Sequence, residues 1–238
     1  MTTSATRDLG TGIGKTDYDV VIIGAGFAGM YQLHKLRQIG LRAHVFEVGN
    51  DVGGTWYWNR YPGARVDIES MEYSYSFDND LQQEWRWKER YAPQPELLEY
   101  ARHVCKRYDL RKDISFSTKV EKLGWDEGAR TWTVETPNGK AVTARYVIAA
   151  TGCLSKPSEP KFEGMEYFRG QMYWTSNYPH EGVDLSGKRV AVIGTGSSGI
   201  QTITAIAPQV GHLTVLQRTP TFAVPAHNTL ISDARDAE

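Results

Sequence analysis

Apolar and polar positions along the chain change period several times, and each change marks an element. Residues 18–23 hold the apolar run Val20, Val21, Ile22 and Ile23, the length of a strand buried in a sheet. Met30, Leu33, Leu36 and Arg37 then recur at helical spacing and predict a helix near 27–39, which Gly40 stops. A second strand is expected at 42–47, followed by a long aromatic loop over 53–91. Pro95 opens a predicted helix over 95–108, with Leu98, Ala101, Val104, Cys105 and Tyr108 facing the core. From 114 to 149 the pattern alternates like strands. Residues 132–136 and 142–145 flank Pro137, Asn138, Gly139 and Lys140, where Asn-Gly signals a hairpin. The apolar run 146–150 ends at Thr151 and Gly152 and reads like a buried parallel strand. A connector with Pro157 and Pro160 follows, and a strand, a helix and a strand recur over 188–217.

The two strand–helix–strand stretches share a glycine pattern. The first carries Gly24, Gly26 and Gly29, and its second strand ends in Glu47, 23 positions beyond Gly24. The other carries Gly194, Gly196 and Gly199, and reaches Arg218, 24 positions beyond Gly194. In such a pattern the first glycine makes the turn, the second admits a pyrophosphate, and the third lets helix and strand pack closely. The helix N-terminus offers free N–H groups and a positive dipole end to phosphate. An acid at the second strand's end suits a free ribose 2′-hydroxyl, and an arginine suits a 2′-phosphate. One site is therefore expected to hold FAD and the other NADPH, which points to flavin redox chemistry. The predicted fold is α/β with two dinucleotide-binding domains. A Rossmann-like FAD domain with an inserted β-meander covers 18–155, after a loose tail at 1–17. A connector covers 156–187, and the first part of a Rossmann NADPH domain covers 188–238.

Composition narrows the class. The 238 residues carry a net charge of −1, so no basic field draws nucleic acid or an acidic membrane. No apolar run is long enough to span a bilayer, and residues 1–17 lack a signal-peptide core, so a cytoplasmic enzyme is expected. Cys105 and Cys153 form neither a disulfide framework nor a Cys-x-x-Cys pair, which argues against disulfide-reductase chemistry. His34, His44, His103, His180, His212 and His227 show no metal spacing and read as surface or packing residues.

The segment from Gly53 through Thr55, Trp56, Tyr57, Trp58, Tyr61, Pro62, Gly63, Arg65 and Asp67 to Tyr73 resembles Baeyer–Villiger monooxygenases, the class B flavin monooxygenases. Ala150-Thr151-Gly152, the connector from Phe168 to Pro179, the second glycine pattern and Gln217-Arg218-Thr219-Pro220 continue the likeness. The resemblance implies that Gly24, Gly26 and Gly29 admit the FAD pyrophosphate, Glu47 binds its ribose and Val120 touches the adenine end. It implies that Gly54, Thr55, Trp56, Tyr57 and Trp58 line the flavin, with Asp67 and Tyr73 near the ring, and that Arg65 and Asp67 face the nicotinamide. Thr195, Gly196, Ser197, Ser198, Gly199, Ile200 and Gln201 would cradle the NADPH phosphates, and Arg218 with Thr219 would grip the 2′-phosphate. The implied reaction inserts one oxygen atom of O2 beside a ketone carbonyl through a C4a-peroxyflavin. An arginine stabilises the charge, and Asp67 orients that arginine as the catalytic residue present here.

Plain readings stand beside these roles. The aromatics of 56–61 also suit a core, Asp67 a loop acid, and Arg218 a surface charge. The connector departs from the family pattern, with Trp174 where histidine belongs and Tyr178 where tryptophan belongs. Full family members run to roughly twice this length, because two nucleotide domains and a substrate-covering region need more chain. The expected catalytic arginine would lie beyond residue 238. The chain is therefore expected to be a truncated monooxygenase, a nucleotide-binding fragment completed by another chain or by self-association, or an N- or S-oxidising flavin monooxygenase. An apolar edge on the second sheet is expected to favour association.

Overall fold

In a computed structural model, which describes residues 15–137, 139–154, 156–158 and 160–231, the first predicted strand lies inside a six-stranded sheet. Its strands are β1 (Tyr18–Ile23), β2 (Ala43–Phe46), β3 (Ile114–Ser115), β4 (Lys122–Asp126), β5 (Thr131–Glu135) and β6 (Ala141–Ala149), in the order β3-β2-β1-β6-β5-β4. The β3-β2-β1-β6 half is parallel, and β4, β5 and β6 form the expected antiparallel meander.

Residues 142–145 and 146–149 lie in the single strand β6, which changes partners along its length. Its first half pairs antiparallel with β5 (Val134↔Val142), and its second half pairs parallel with β1 (Val20↔Tyr146). The change of hydrophobic period therefore marks a change of neighbour, not a turn. Nor is the second half fully buried, since Tyr146 is 57% exposed. Asn138 lies outside the described residues, as do residues 1–14 of the predicted tail and 232–238 of the predicted NADPH segment.

The chain forms two compact units, each made of two stretches: Met1–Asp51 with Tyr108–Thr151, and Val52–Arg107 with Gly152–Glu238. In the first unit, α1 (Phe27–Gln38) packs on β1 and β2 and buries Met30 and Leu33. The meander side buries Val21, Phe46, Val134 and Ala144 together. Each fully buried large side chain of this kind stabilises the fold by about 1.5–3 kcal/mol before entropy is counted.

In the second unit, the loop expected over 53–91 carries short elements: α2 (Thr55–Trp58), a 3-10 turn at Ser70–Tyr73, and α3 (Asn79–Glu84). Asp78 starts α3 by accepting the Leu81 N–H at 3.1 Å, a cap that apolar periodicity does not reveal. The helix expected at 95–108 is α4 (Gln94–Arg107). It buries Leu98, Ala101, Val104 and Cys105 as expected, and also Glu96, which accepts the Lys88 N–H at 2.9 Å. Burial pushes the Glu96 carboxyl up. The repeated motif is present as β7 (Arg189–Ile193), α5 (Ser197–Ile206) and β8 (His212–Leu216), with β7 and β8 parallel. The last described residues also pair: Arg90 donates to the Thr229 carbonyl at 2.9 Å, and Ile231 to the Lys88 carbonyl at 3.0 Å. Among the described residues, no helix is long and apolar enough to cross a membrane. Nor, among the described residues, does any group of ligating side chains suit a metal.

Candidate functional site

The two glycine turns share one backbone design. Gly24 sits at φ +103° and Gly194 at φ +101°, in the region that favours glycine. Gly24 donates to the Phe46 carbonyl at 2.9 Å, and Gly194 to the Leu216 carbonyl at 2.9 Å. A Cβ on Gly29 would lie 1.9 Å from the Gly24 oxygen, and one on Gly199 would lie 2.4 Å from the Gly194 oxygen. Gly26 and Gly196 cap their helices in extended conformation, without a side-chain cap and without an acid in the first turn. The helix N–H groups and the positive dipole end are thus left to an anion. This arrangement fits a dinucleotide pyrophosphate at each turn. Around the second turn, Gly196 and Ser197 are exposed, while Ser198 and Ile200 are half-buried. Thr195 is buried and accepts from Gln217 Nε2 at 2.7 Å.

Glu47 stands one position beyond β2 and Arg218 two positions beyond β8, and they differ in charge and in setting. Glu47 is only 4% exposed. Its Oε2 accepts the Ala25 N–H at 2.6 Å and its Oε1 accepts the Gly49 N–H at 2.7 Å, so the acid also braces the first turn. Two charge-assisted bonds to the backbone hold it firmly, and each carboxylate oxygen keeps a further lone pair for a ribose hydroxyl. Arg218 and Thr219 are exposed, and among the described residues no carboxylate pairs with Arg218. A free guanidinium fork is what a phosphate recruits.

The aromatic segment forms its own cluster in the second unit. Gly54 takes φ +55° ahead of α2. Trp56 and Tyr57 are buried, whereas Thr55 and Trp58 are exposed. Trp56 Nε1 donates to Tyr73 Oη at 2.8 Å. Burial, with a smaller contribution from the charge of Asp67, pushes the Tyr73 phenol up despite that bond, and Asp67 itself is exposed. Arg65 Nη1 reaches Glu89 Oε2 at 3.3 Å and the Tyr91 carbonyl at 3.4 Å. Glu89 also accepts from Asn228 Nδ2. The carboxamide of Gln201, on α5, is turned to the same loop and bonds Tyr61 and Arg65.

Sequence reasoning missed Gln201's loop contacts, Glu89 and Asn228, because their partners lie 136, 24 and 139 positions away in sequence. Val120 is partly buried against the Val21–Phe46–Val134–Ala144 cluster in the first unit. In the connector, Tyr178 is buried and its hydroxyl has no hydrogen-bond partner among the described residues. His180 meets Tyr57 edge to face at 5.3 Å. Burial and the Arg60 charge hold its imidazole below the ordinary value. Cys105 is buried and Cys153 is exposed.

The family model described as "Pyridine nucleotide-disulphide oxidoreductase" matches residues 18–237. A Baeyer-Villiger monooxygenase of Pseudooceanicola batsensis is 50% identical over 93% of this chain and 41% of its own. A phenazine N-monooxygenase of Lysobacter antibioticus is 47% identical over 94% of this chain and 41% of its own. The crystal structure of cyclohexanone monooxygenase from Rhodococcus sp. Phi1, bound to NADP+, superposes with a TM-score of 0.88 at 46% identity, over 92% of this chain and 41% of that one. The chain therefore spans about two fifths of the length of the curated relatives it matches.

Proposed function

We infer that this chain, which belongs to the pyridine nucleotide-disulphide oxidoreductase family, carries the FAD- and NADPH-binding segments of a monooxygenase. The proposed reaction inserts one oxygen atom of O2 beside a ketone carbonyl. The observation carrying this reading is the pair of like-built turns whose second strands lead into Glu47 and into Arg218. In the proposal, residues 18–155 serve FAD, 156–187 connect, and 188–238 serve NADPH. Gly24, Gly26 and Gly29 admit one pyrophosphate and Glu47 takes its ribose, with Val120 toward the adenine. Thr195, Gly196, Ser197, Ser198, Gly199 and Ile200 surround the other pyrophosphate, and Arg218 with Thr219 takes the 2′-phosphate. Gly54, Thr55, Trp56, Tyr57, Trp58, Arg65, Asp67 and Tyr73 are assigned to the redox rings. Bound cofactors supply the hydride and activate oxygen. The chain's own residues bind and orient them, and Asp67 supplies fixed negative charge for a cationic partner.

Baeyer–Villiger relatives near 50% identity support the ketone as substrate. The phenazine N-monooxygenase at 47% identity supports a second reading, oxygen transfer to a ring nitrogen. A cytoplasmic location, and completion by another chain or by self-association, belong to the same proposal. The test is to load the purified chain with FAD, remove oxygen and add NADPH. Bleaching of the flavin absorbance is the expected result, and a flavin that binds but stays oxidised would count against the reading. In air, cyclohexanone and phenazine then separate the two chemistries by product.

A further inference from the structure

The helix leaving the second glycine turn does more than point at a phosphate. Gln201, in its second turn, uses both ends of its carboxamide on the loop that carries Arg65. Its Oε1 accepts from Tyr61 Oη at 2.9 Å and from the Arg65 N–H at 3.3 Å, and its Nε2 donates to the Arg65 carbonyl at 3.2 Å. Between these anchors Gly63 presses its backbone on the helix. A Cβ there would lie 2.5 Å from the Gln201 carbonyl oxygen and 2.9 Å from Ala205 Cβ. Gly63 also holds φ +79°, so the close approach is fixed by conformation as well as by space. The far side of Arg65 is tied too, through Glu89 to Asn228. Arg65 is thus held by its backbone to the helix and by its guanidinium to the 88–91 segment.

We propose that Gln201 is a positioning residue that clamps the Tyr61–Arg65 loop to the helix of the second glycine turn, so that filling that turn orders the loop. The proposal rests on the reading of that turn as an NADPH site. A side chain aimed at a phosphate would leave its carboxamide available, whereas here the acceptor and one donor serve the loop. Phosphate binding at the helix N-terminus steadies the first turns of α5, and Gln201 transmits that order through bonds lying within one compact unit.

The test is hydrogen–deuterium exchange of residues 61–67, with and without saturating NADP+. In the wild-type chain the ligand is expected to slow exchange there by at least about fivefold, the factor one net hydrogen bond confers. Gln201→Ala and Tyr61→Phe, each saturated with NADP+, are expected to lose most of that slowing. Gln201→Glu keeps the oxygen that accepts from Tyr61 and the Arg65 N–H but sets a second oxygen against the Arg65 carbonyl, so it is expected to restore part of the slowing, which a loss of general stability would not produce. Tyr61→Phe decides the matter if Gln201→Ala does not fold. Equal slowing in wild type and variants overturns the clamp and leaves the cofactor reading standing, as does wild-type chain that binds NADP+ without slowing. Failure of the wild-type chain to bind NADP+ overturns both.

Discussion

Glu47 and Arg218 lie one and two positions beyond equivalent strands, and their settings ask for different partners. Glu47 is buried and doubly bonded to backbone N–H groups, so its charge is already part of the first turn. Replacing one oxygen by an amide nitrogen sets a donor against a donor. Glu47→Gln should therefore cost about 1–3 kcal/mol of stability and weaken FAD binding, as read by urea unfolding and flavin titration. Tyr178 shows the reverse case, a buried hydroxyl without a partner among the described residues. Tyr178→Phe should raise stability by about 1 kcal/mol, since it removes a desolvated polar group and keeps the ring. His44 sets a pH dependence. It stacks on Tyr18 at 4.8 Å, and burial holds its imidazole below the ordinary value against the opposing charge of Asp113. The folded chain then binds fewer protons than the unfolded chain, so this stability is full above about pH 6.5 and falls as pH drops through it. Thermal unfolding at about pH 7.5 and about pH 5.5 should show a smaller drop in Tm for His44→Gln than for wild type.

At the scale of elements, the two turns share a backbone but not surroundings. A Cβ on Gly24 would lie 2.6 Å from the Ala150 carbonyl oxygen on the far side of the sheet's C-terminal end, whereas a Cβ on Gly194 meets nothing within 4 Å. Gly194→Ala should therefore cost only the left-handed backbone penalty, about 1–2 kcal/mol. Gly24→Ala adds the clash and should cost about 2–5 kcal/mol, both measured by chemical unfolding. Both turns, both helices and the meander were legible because local glycine chemistry and apolar period specify them. The continuity of β6 was not, because a strand that trades an antiparallel neighbour for a parallel one changes its pattern without bending. The short helices within 53–91 escaped because a single turn has no period to read. The bonds from Gln201, Glu89 and Asn228 escaped because sequence pattern carries no signal for pairs so far apart.

At the scale of the whole chain, apolar surface is unevenly covered. Ile193 is 61% exposed, Phe222 99% and Val224 85%, all within the second unit. Such residues favour association, so sedimentation should show concentration-dependent assembly, reduced by Phe222→Ser with Val224→Ser. The chemistry assigned to the chain depends on its two turns preferring different riboses, and one titration addresses this most directly. The purified chain should bind FAD and should bind NADP+ at least about tenfold more tightly than NAD+, with Arg218→Ala erasing that preference. Equal affinity for NADP+ and NAD+ in the wild-type chain, or no binding of FAD, would contradict the account.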